Sequence, residues 1–157
     1  MDEALRLENQ LCFPLYACAR KVVCKYTPLL KPLNLTYTQY IVLLVLWEED
    51  HCTLRDLCRK LYLDSGTLTP LLKKMEAAGF VTRERSREDE RVVTVTLTEE
   101  GRSLKEKARA IPSQMGSCVK LTEQEALSLY QILYSMLSQM GESGAETGAQ
   151  EHEASAF

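Results

Sequence analysis

Apolar residues recur every three or four positions along the first half of the chain, and this period predicts helices. Thr36 and Gln39 form a capping box ahead of the apolar run at residues 40–47, which predicts a buried helix there and not a strand. Thr53 is expected to begin the next helix. The apolar face of that helix consists of Leu54, Leu57, Cys58, Leu61 and Tyr62.

The following helix is predicted from about residue 65 to residue 78. Asp64 or Ser65 can cap its first turn. Pro70 lies near that turn, where a helix tolerates proline best. Gly79 can end it as the C′ residue. Its inner face consists of Leu68, Leu71, Leu72, Met75 and Ala78.

The period changes from 3.6 to 2 after Gly79. Residues 80–83 and 91–97 are rich in β-branched side chains and alternate in polarity, whereas residues 84–90 between them are almost all charged. This pattern predicts a β-hairpin with a long, exposed tip.

Another helix is predicted at the start of the chain. It is expected to begin near Asn9, a good N-cap, because Pro14 is unfavourable beyond a first turn. Its apolar stripe consists of Leu7, Leu11, Leu15, Cys18 and Val22.

Two helices are predicted after the hairpin. One begins at residues 98–100, and its stripe consists of Leu104, Ala108, Ile111, Met115 and Cys118. The capping box of Thr122 and Glu125 begins the last one, which runs to about Met140. The predicted fold is therefore mainly α with a β-hairpin, in the order of four helices, the hairpin and two helices.

Two short helices followed at once by a charged hairpin are the plan of a winged helix-turn-helix. In such a module the second helix enters the major groove of DNA and the hairpin reaches an adjacent minor groove. The polar face of that helix carries the side chains that can meet base edges and phosphates, namely Ser65, Thr67, Thr69, Lys73 and Lys74. The hairpin adds Arg83, Arg85, Arg87 and Arg91. Asp89 is expected to orient Arg91 for a narrow minor groove.

The helices outside this module carry apolar stripes that need a partner. A twofold homodimer would cover them and would place two reading helices about 34 Å apart on a pseudopalindromic operator in double-stranded DNA. The competing interpretation is a solvated basic hairpin beside an ordinary amphipathic helix.

Charge is uneven along the chain. The formal net charge is −3, which disfavours indiscriminate coating of nucleic acid, but without the four glutamates of residues 141–157 it becomes +1. We interpret 141–157 as a disordered acidic tail. Residues 1–140 are predicted to form a single winged-helix domain, with DNA binding in 53–97 and dimerisation in 5–35 and 99–140.

The six cysteines are expected to be reduced thiols in the cytoplasm. The longest apolar run is too short for a membrane span, and no secretory signal is recognised at the start. No CxxC is present and only two histidines could assist, so neither a metal site nor a cofactor is expected.

The wing sequence resembles the signature of the MarR family of dimeric repressors. Asp89-x-Arg91 followed by LTEEG at 97–101 carries that resemblance, which covers about residues 5–140. Four strings are similar to the organic hydroperoxide sensor (OhrR) group of the family: LCFPLYA at 11–17, LTYTQY at 35–40, LYLDSGTLTPLL at 61–72 and DER at 89–91. The resemblance implies a repressor, and no enzyme, that leaves its operator when a cysteine is oxidised.

The resemblance implies that Cys12 is the cysteine attacked by an organic hydroperoxide. Its predicted place in a first helical turn favours the reactive thiolate. By motif context, Tyr26 and Tyr37 of the partner subunit, and less directly Tyr16, are the thiolate's neighbours, because a phenol O–H can donate to it. An inert, buried cysteine is the competing interpretation of Cys12, and Cys18 is expected to fill the core.

The oxidised sulfur has two possible fates. A low-molecular-weight thiol can cap it, or Cys118 of the other subunit can form a disulfide with it. The resemblance implies the second fate for some members, whereas the apolar stripe equally favours a core role for Cys118.

Three other functions stay open at this point. The chain could be a MarR-type repressor released by a phenolic or other small ligand. It could be a thiol peroxidase, although no CxxC supplies a path for reductant. It could also be a protein-interaction module, which would show no salt-dependent binding to a palindromic duplex.

Overall fold

The computed structural model describes residues 3–89, 91–118 and 120–141. The chain divides into two units, residues 1–118 and residues 119–157. Apart from Gly141, the predicted acidic tail lies outside the described residues.

The first unit contains six α-helices and three strands among its described residues. The helices are α1 (Cys12–Leu30), α2 (Tyr37–Glu48), α3 (Leu54–Leu61), α4 (Ser65–Ala77), α5 (Glu99–Ala108) and α6 (Ile111–Cys118). The strands are β1 (Cys52–Thr53), β2 (Val81–Arg85) and β3 (Val93–Leu97). A mainly α fold with a hairpin after the fourth helix is confirmed.

Side chains cap the helices as the sequence predicts. The capping box is formed at α2, where Gln39 N–H donates to Thr36 Oγ1 (3.3 Å) and Thr36 N–H donates to Gln39 Oε1 (2.8 Å). Thr53 caps α3, and Asp64 caps α4 in preference to Ser65. Gly79 follows α4 at φ +79°, the left-handed conformation that glycine adopts without strain.

The core lies where α2, α3, α4 and the sheet meet. Its most deeply buried side chains are Leu30, Leu43, Leu46, Leu57, Leu68, Leu72, Met75, Val42, Val81 and Val95. Each buried leucine stabilises the fold by about 1.5–3 kcal/mol relative to an exposed one. This core fixes α4 from behind and leaves its polar face outward.

The sheet has three antiparallel strands in the order β1-β3-β2. β2 pairs with β3 from Val81 opposite Leu97 to Arg85 opposite Val93. The hairpin is thus confirmed, with strands at 81–85 and 93–97. β1 was not predicted, because two residues are too few to display a period of two.

Helix α1 begins two residues later than expected, with Leu11 and not Asn9 at the N-cap. Two 3-10 turns, Glu3–Leu5 and Leu7–Asn9, precede it. Asn9 is not the N-cap, since its side chain donates to Glu3 O (2.8 Å) within these turns. Leu11 occupies the N-cap position without a side-chain hydrogen bond.

The single helix predicted from residue 98 to residue 118 is wrong. It breaks between Ala108 and Ile111 into α5 and α6. Pro112 explains the break, because proline has no N–H to donate and disfavours a helical conformation in the residue before it.

Several residues predicted to lie inside are exposed. In the apolar stripe predicted for the first helix, these are Leu7, Leu11, Leu15 and Cys18. In later helices they are Tyr62, Ala78 and Cys118. Tyr62 is exposed because α3 ends at Leu61 and Tyr62 turns away at φ 53°. The first stripe is exposed because α1 packs against the core of its own chain only from Val22 onward.

The second unit contains α7 (Glu123–Gly141), which confirms the predicted last helix. Thr122 Oγ1 and Glu125 form its capping box. None of its described residues is buried, and its exposed apolar residues include Leu127, Leu129 and Ile132.

No single described helix is long and apolar enough to cross a membrane. The segments 12–33 and 37–48 satisfy that test only as a pair, and they are bent by 73°.

Candidate nucleic-acid interface and redox site

The outer face of α4 is polar, as predicted. Ser65, Thr67, Lys73 and Lys74 are exposed and Thr69 is partly exposed. Thr67 differs from the others because its Oγ1 donates to Asp64 Oδ2 (2.7 Å). This hydrogen bond and the one from Thr67 N–H lower the pKa of Asp64 and fix the first turn of α4.

The wing comprises β2, β3 and the tip between them. Near its tip, Arg91 Nε and Nη2 donate to Asp89 Oδ1 and Oδ2 at 3.1 and 3.3 Å. This pairing lowers the pKa of Asp89 and leaves the Arg91 side chain 91% exposed. The predicted contact between Asp89 and Arg91 is confirmed, and it presents an oriented guanidinium to solvent.

Arg83 occupies a different position from the other wing arginines. Its Nε and Nη2 donate to Glu76 Oε2 at 3.0 and 2.6 Å, and its backbone N–H donates to Glu76 Oε1 at 3.0 Å. The hydrogen bonds from Arg83 lower the pKa of Glu76. The wing is thereby fastened to the last turn of α4.

Two grooves flank Arg91. A groove of about 660 Å³ lies between α4 and the wing, and its polar lining is Thr69, Lys73, Arg83, Arg85 and Arg91. A second groove of about 770 Å³ is lined by residues that include Arg55, Cys58, Ser65, Asp89 and Arg91. The sequence interpretation missed Arg55, although its place in the first turn of α3, next to the apolar face, could have indicated it.

Asp50 joins the wing to α5. Its Oδ1 accepts from Leu97 N–H and His51 N–H, both at 2.9 Å, and its Oδ2 accepts from Arg102 Nη2 at 2.7 Å. Partial burial acts to raise the pKa of Asp50, but the two N–H groups and the charge of Arg102 bring it below its ordinary value. The sequence offered no local signal for this contact, which spans 52 residues.

Cys12 is exposed and is the first residue of α1. The placement in a first turn is confirmed. That turn has fewer free N–H groups than expected, because Phe13 N–H donates to Gln10 O (3.2 Å) and Pro14 has none. Hydrogen bonds to an anionic Cys12 sulfur would therefore come chiefly from other groups.

An aromatic cluster lies at the other end of α1. The ring of Tyr26 is 4.8 Å from that of Tyr37 and 5.8 Å from that of Tyr40, between ring centroids. Burial raises the pKa of each of these tyrosines, which keeps the phenols protonated. Tyr26 follows Cys12 by 14 residues of one helix, a separation of roughly 21 Å at the standard rise.

Tyr16 lies one turn after Cys12 and is exposed. Its hydroxyl accepts from Arg20 Nη1 at 3.1 Å, and the guanidinium lies 5.6 Å from the ring centroid. Within one chain, only Tyr16 of the three predicted tyrosines is close to Cys12 along α1.

The remaining cysteines fall into two groups. Cys18, Cys24 and Cys118 are exposed, so Cys18 does not fill the core. Cys52 is buried and Cys58 is partly buried, and burial raises the pKa of both thiols. Over the part of the chain that the structure describes, no three His, Cys, Asp or Glu side chains are arranged to hold a metal ion.

The fold and the polar face of α4 define a winged-helix transcriptional regulator, and the comparisons agree. The family profile described as transcriptional regulator SarA/Rot matches residues 25–108. The organic hydroperoxide resistance transcriptional regulator of Bacillus subtilis is 50% identical over 133 residues, which are 85% of this chain and 90% of that protein. The chain belongs to the MarR family of winged-helix regulators, in its organic hydroperoxide regulator group.

Solved structures of AbfR from Staphylococcus epidermidis are also similar, at 40% identity. The reduced protein bound to DNA gives a TM-score of 0.71 and covers 90% of this chain and 99% of that one. The disulfide form of AbfR gives a TM-score of 0.59 and covers 89% and 95%.

Proposed function

We propose that this chain is a homodimeric repressor that binds a pseudopalindromic operator and releases it when an organic hydroperoxide oxidises Cys12. α4 would enter the major groove through Ser65, Thr67, Thr69, Lys73 and Lys74. The wing would reach the minor groove with Arg91, oriented by Asp89, and with Arg85 beside it.

The observation that carries the redox part is the placement of Cys12. Its sulfur is exposed at the amino end of α1, where the helix dipole favours an anion. Cys18 and Cys24 lie within the helix, and Cys118 is the last residue of α6, where the dipole has the opposite sign. Cys12 is therefore the exposed cysteine whose place in the chain best fits a peroxide-reactive residue.

The sensor site would be shared between two subunits. Tyr26 lies too far along α1 to reach Cys12 of its own chain, and Tyr37 of α2 packs against Tyr26. A twofold dimer through α1 can bring both tyrosines to the partner's Cys12. Their protonated phenols would supply the donors that Pro14 and Phe13 do not. The exposed apolar residues near Cys12, such as Leu11 and Leu15, support an interface in this region.

The chemistry consumes one peroxide per sulfur. The Cys12 thiolate attacks the O–O bond, one oxygen becomes the sulfenic acid, and the other leaves as an alkoxide that takes a proton to become an alcohol. A thiol then displaces hydroxide from the sulfenic acid, giving a disulfide and water. That thiol is either a low-molecular-weight thiol or Cys118 of the partner, and the exposure of Cys118 supports its availability.

Release requires the oxidised form to bind DNA several kcal/mol more weakly. The new group or crosslink would change the spacing of two reading helices that must fit grooves about 34 Å apart. The dimerisation segments 5–35 and 99–140 would transmit this change to the DNA-binding segment 53–97.

A duplex selected from a random-sequence library by the reduced protein provides the test. In a mobility-shift assay, cumene hydroperoxide should release the wild type and Cys18→Ser, a matched exposed cysteine on the same helix. Cys12→Ser should bind the duplex and stay bound. Release of Cys12→Ser by the peroxide would contradict the assignment, and mass spectrometry of Cys12 and Cys118 would identify the disulfide.

The mobility-shift assay and a measurement of peroxide consumption separate the other functions. Release of Cys12→Ser by a phenolic ligand would identify a ligand-controlled repressor. Repeated turnover of peroxide with a thiol reductant would identify a peroxidase, whereas one oxidation per subunit would exclude it.

A further inference from the structure

We infer that Arg83 and Glu76 form a clamp that sets the inclination of the wing against α4, and that Arg83 positions the DNA-contacting residues without contacting DNA itself. This inference rests on the proposed function and replaces the direct contact predicted for Arg83 from the sequence.

The clamp joins the two elements that must fit adjacent grooves. Glu76 lies in the last turn of α4, and Arg83 lies at the middle of β2, opposite Val95. Three hydrogen bonds converge on the Glu76 carboxylate, two from the guanidinium and one from the backbone. The guanidinium donates twice to Oε2 and the backbone N–H donates to Oε1, so both carboxylate oxygens are held, which restricts the angle between the two elements more than a single hydrogen bond would.

The two arginine pairs of the wing differ in exposure. The Arg83 side chain is 22% exposed and its partner Glu76 is 37% exposed, whereas Arg91 projects into solvent. Two of the guanidinium nitrogens of Arg83 donate to Glu76, and Arg83 lines the same groove as Lys73, Arg85 and Arg91. Arg83 is therefore less available to a phosphate than Arg91, because two of its five guanidinium N–H groups are committed and most of its side chain is covered.

The carboxylate of Glu76, which pairs with a groove-lining arginine, would otherwise oppose binding. An acidic side chain near DNA repels phosphates, so replacing it with a neutral one should strengthen binding on charge alone. A clamp predicts the opposite change for Glu76. Neutralising its carboxylate should weaken DNA binding, because the wing is no longer held at a fixed angle to α4. Glu84 provides the matched control, since it is exposed on the same strand and points to the other face of β2.

The experiment measures the affinity of reduced dimers for the selected duplex across a salt series. Glu76→Gln and Arg83→Lys should each weaken binding about tenfold, with an unchanged slope of log K against log salt. Arg91→Ala should lower that slope by about one, and Glu84→Gln should leave affinity unchanged or raise it. The double variant Glu76→Gln/Arg83→Lys should bind the duplex no more weakly than the single variant with the lower affinity, because both substitutions remove the same interaction.

Several results would overturn the clamp. Glu76→Gln could bind as tightly as the wild type or tighter, or Arg83→Gln could lower the salt slope as Arg91→Ala does. Melting curves confirm that each variant is folded, and if Glu76→Gln is not, Arg83→Lys decides alone. A wild type that selects no duplex contradicts the proposed function together with the clamp. Weakening by Arg91→Ala without weakening by Glu76→Gln contradicts the clamp alone.

Discussion

Leucines are packed differently in the reading head, which comprises α3, α4 and the wing, and at the start of α1. In the head, Leu57, Leu68 and Leu72 are almost entirely buried by residues of the same chain. At the start of α1, the N-cap residue Leu11 is 77% exposed and Leu15 in the helix is also exposed. The leucines of the head are therefore covered within one chain, whereas the exposed apolar residues at the start of α1 are expected to pack against a second surface.

The largest expected effect is in the head. Leu72→Ala should lower the free energy of unfolding by about 2–5 kcal/mol, because it leaves a cavity between α4 and the sheet. Leu5→Ala, at an exposed leucine, is the control and should change it by less than about 0.5 kcal/mol. Denaturant titration measures both. A small loss for Leu72→Ala would contradict the interior assigned to the head.

The next effect concerns the junction of the head with α5. A Cβ at Gly101 would stand 2.1 Å from Phe80 O, so Gly101→Ala must move the start of α5 away from the end of α4. We expect a loss of about 1–3 kcal/mol in the free energy of unfolding. Gly116→Ala has nothing near its Cβ and should not destabilise the chain. Equal melting temperatures for both variants would contradict this packing.

The exposed start of α1 should affect self-association, which depends on protein concentration. Leu11→Ala combined with Leu15→Ala should weaken self-association about tenfold, because two apolar contacts are lost while the head is unchanged. Lys21→Ala, on the same helix, serves as the control. Sedimentation at a series of concentrations measures the dissociation constant. An unchanged constant would place the interface elsewhere.

The smallest effect is expected at Asp50. Asp50→Asn should cost about 1 kcal/mol at neutral pH, because the charged hydrogen bond with Arg102 is lost. The pKa of Asp50 is lowered by folding, so its stabilisation is complete above the ordinary value of 3.8 and disappears as pH falls below it. Unfolding curves of both proteins should therefore converge in acid. A constant difference down to pH 2 would contradict a charge-dependent role.

Local signals were sufficient for much of the fold. Thr36, Thr53, Asp64 and Gly79 act within four residues of themselves, so the sequence displays their function directly. The polar face of α4 and the pairing of Asp89 with Arg91 were predictable for the same reason.

Contacts between distant residues were not predictable in this way. The pairing of Arg83 with Glu76 and that of Asp50 with Arg102 depend on how the hairpin packs, which a single sequence does not display. Periodicity identified an apolar face on α1, but it does not say which chain covers that face. The break between α5 and α6 differs from these cases, because Pro112 is a local signal for it. The continuous apolar stripe of residues 104–118 led to the prediction of a single helix instead.

The separation of Cys12 from Tyr26 along α1 has a consequence for how the protein assembles after synthesis. α1 is a single helix, so no bending of loops within one chain can join its two ends. In the proposed dimer, a newly synthesised chain would hold two incomplete half-sites until it met a second copy. Assembly would then create the DNA reader and complete its peroxide-sensing site in the same event.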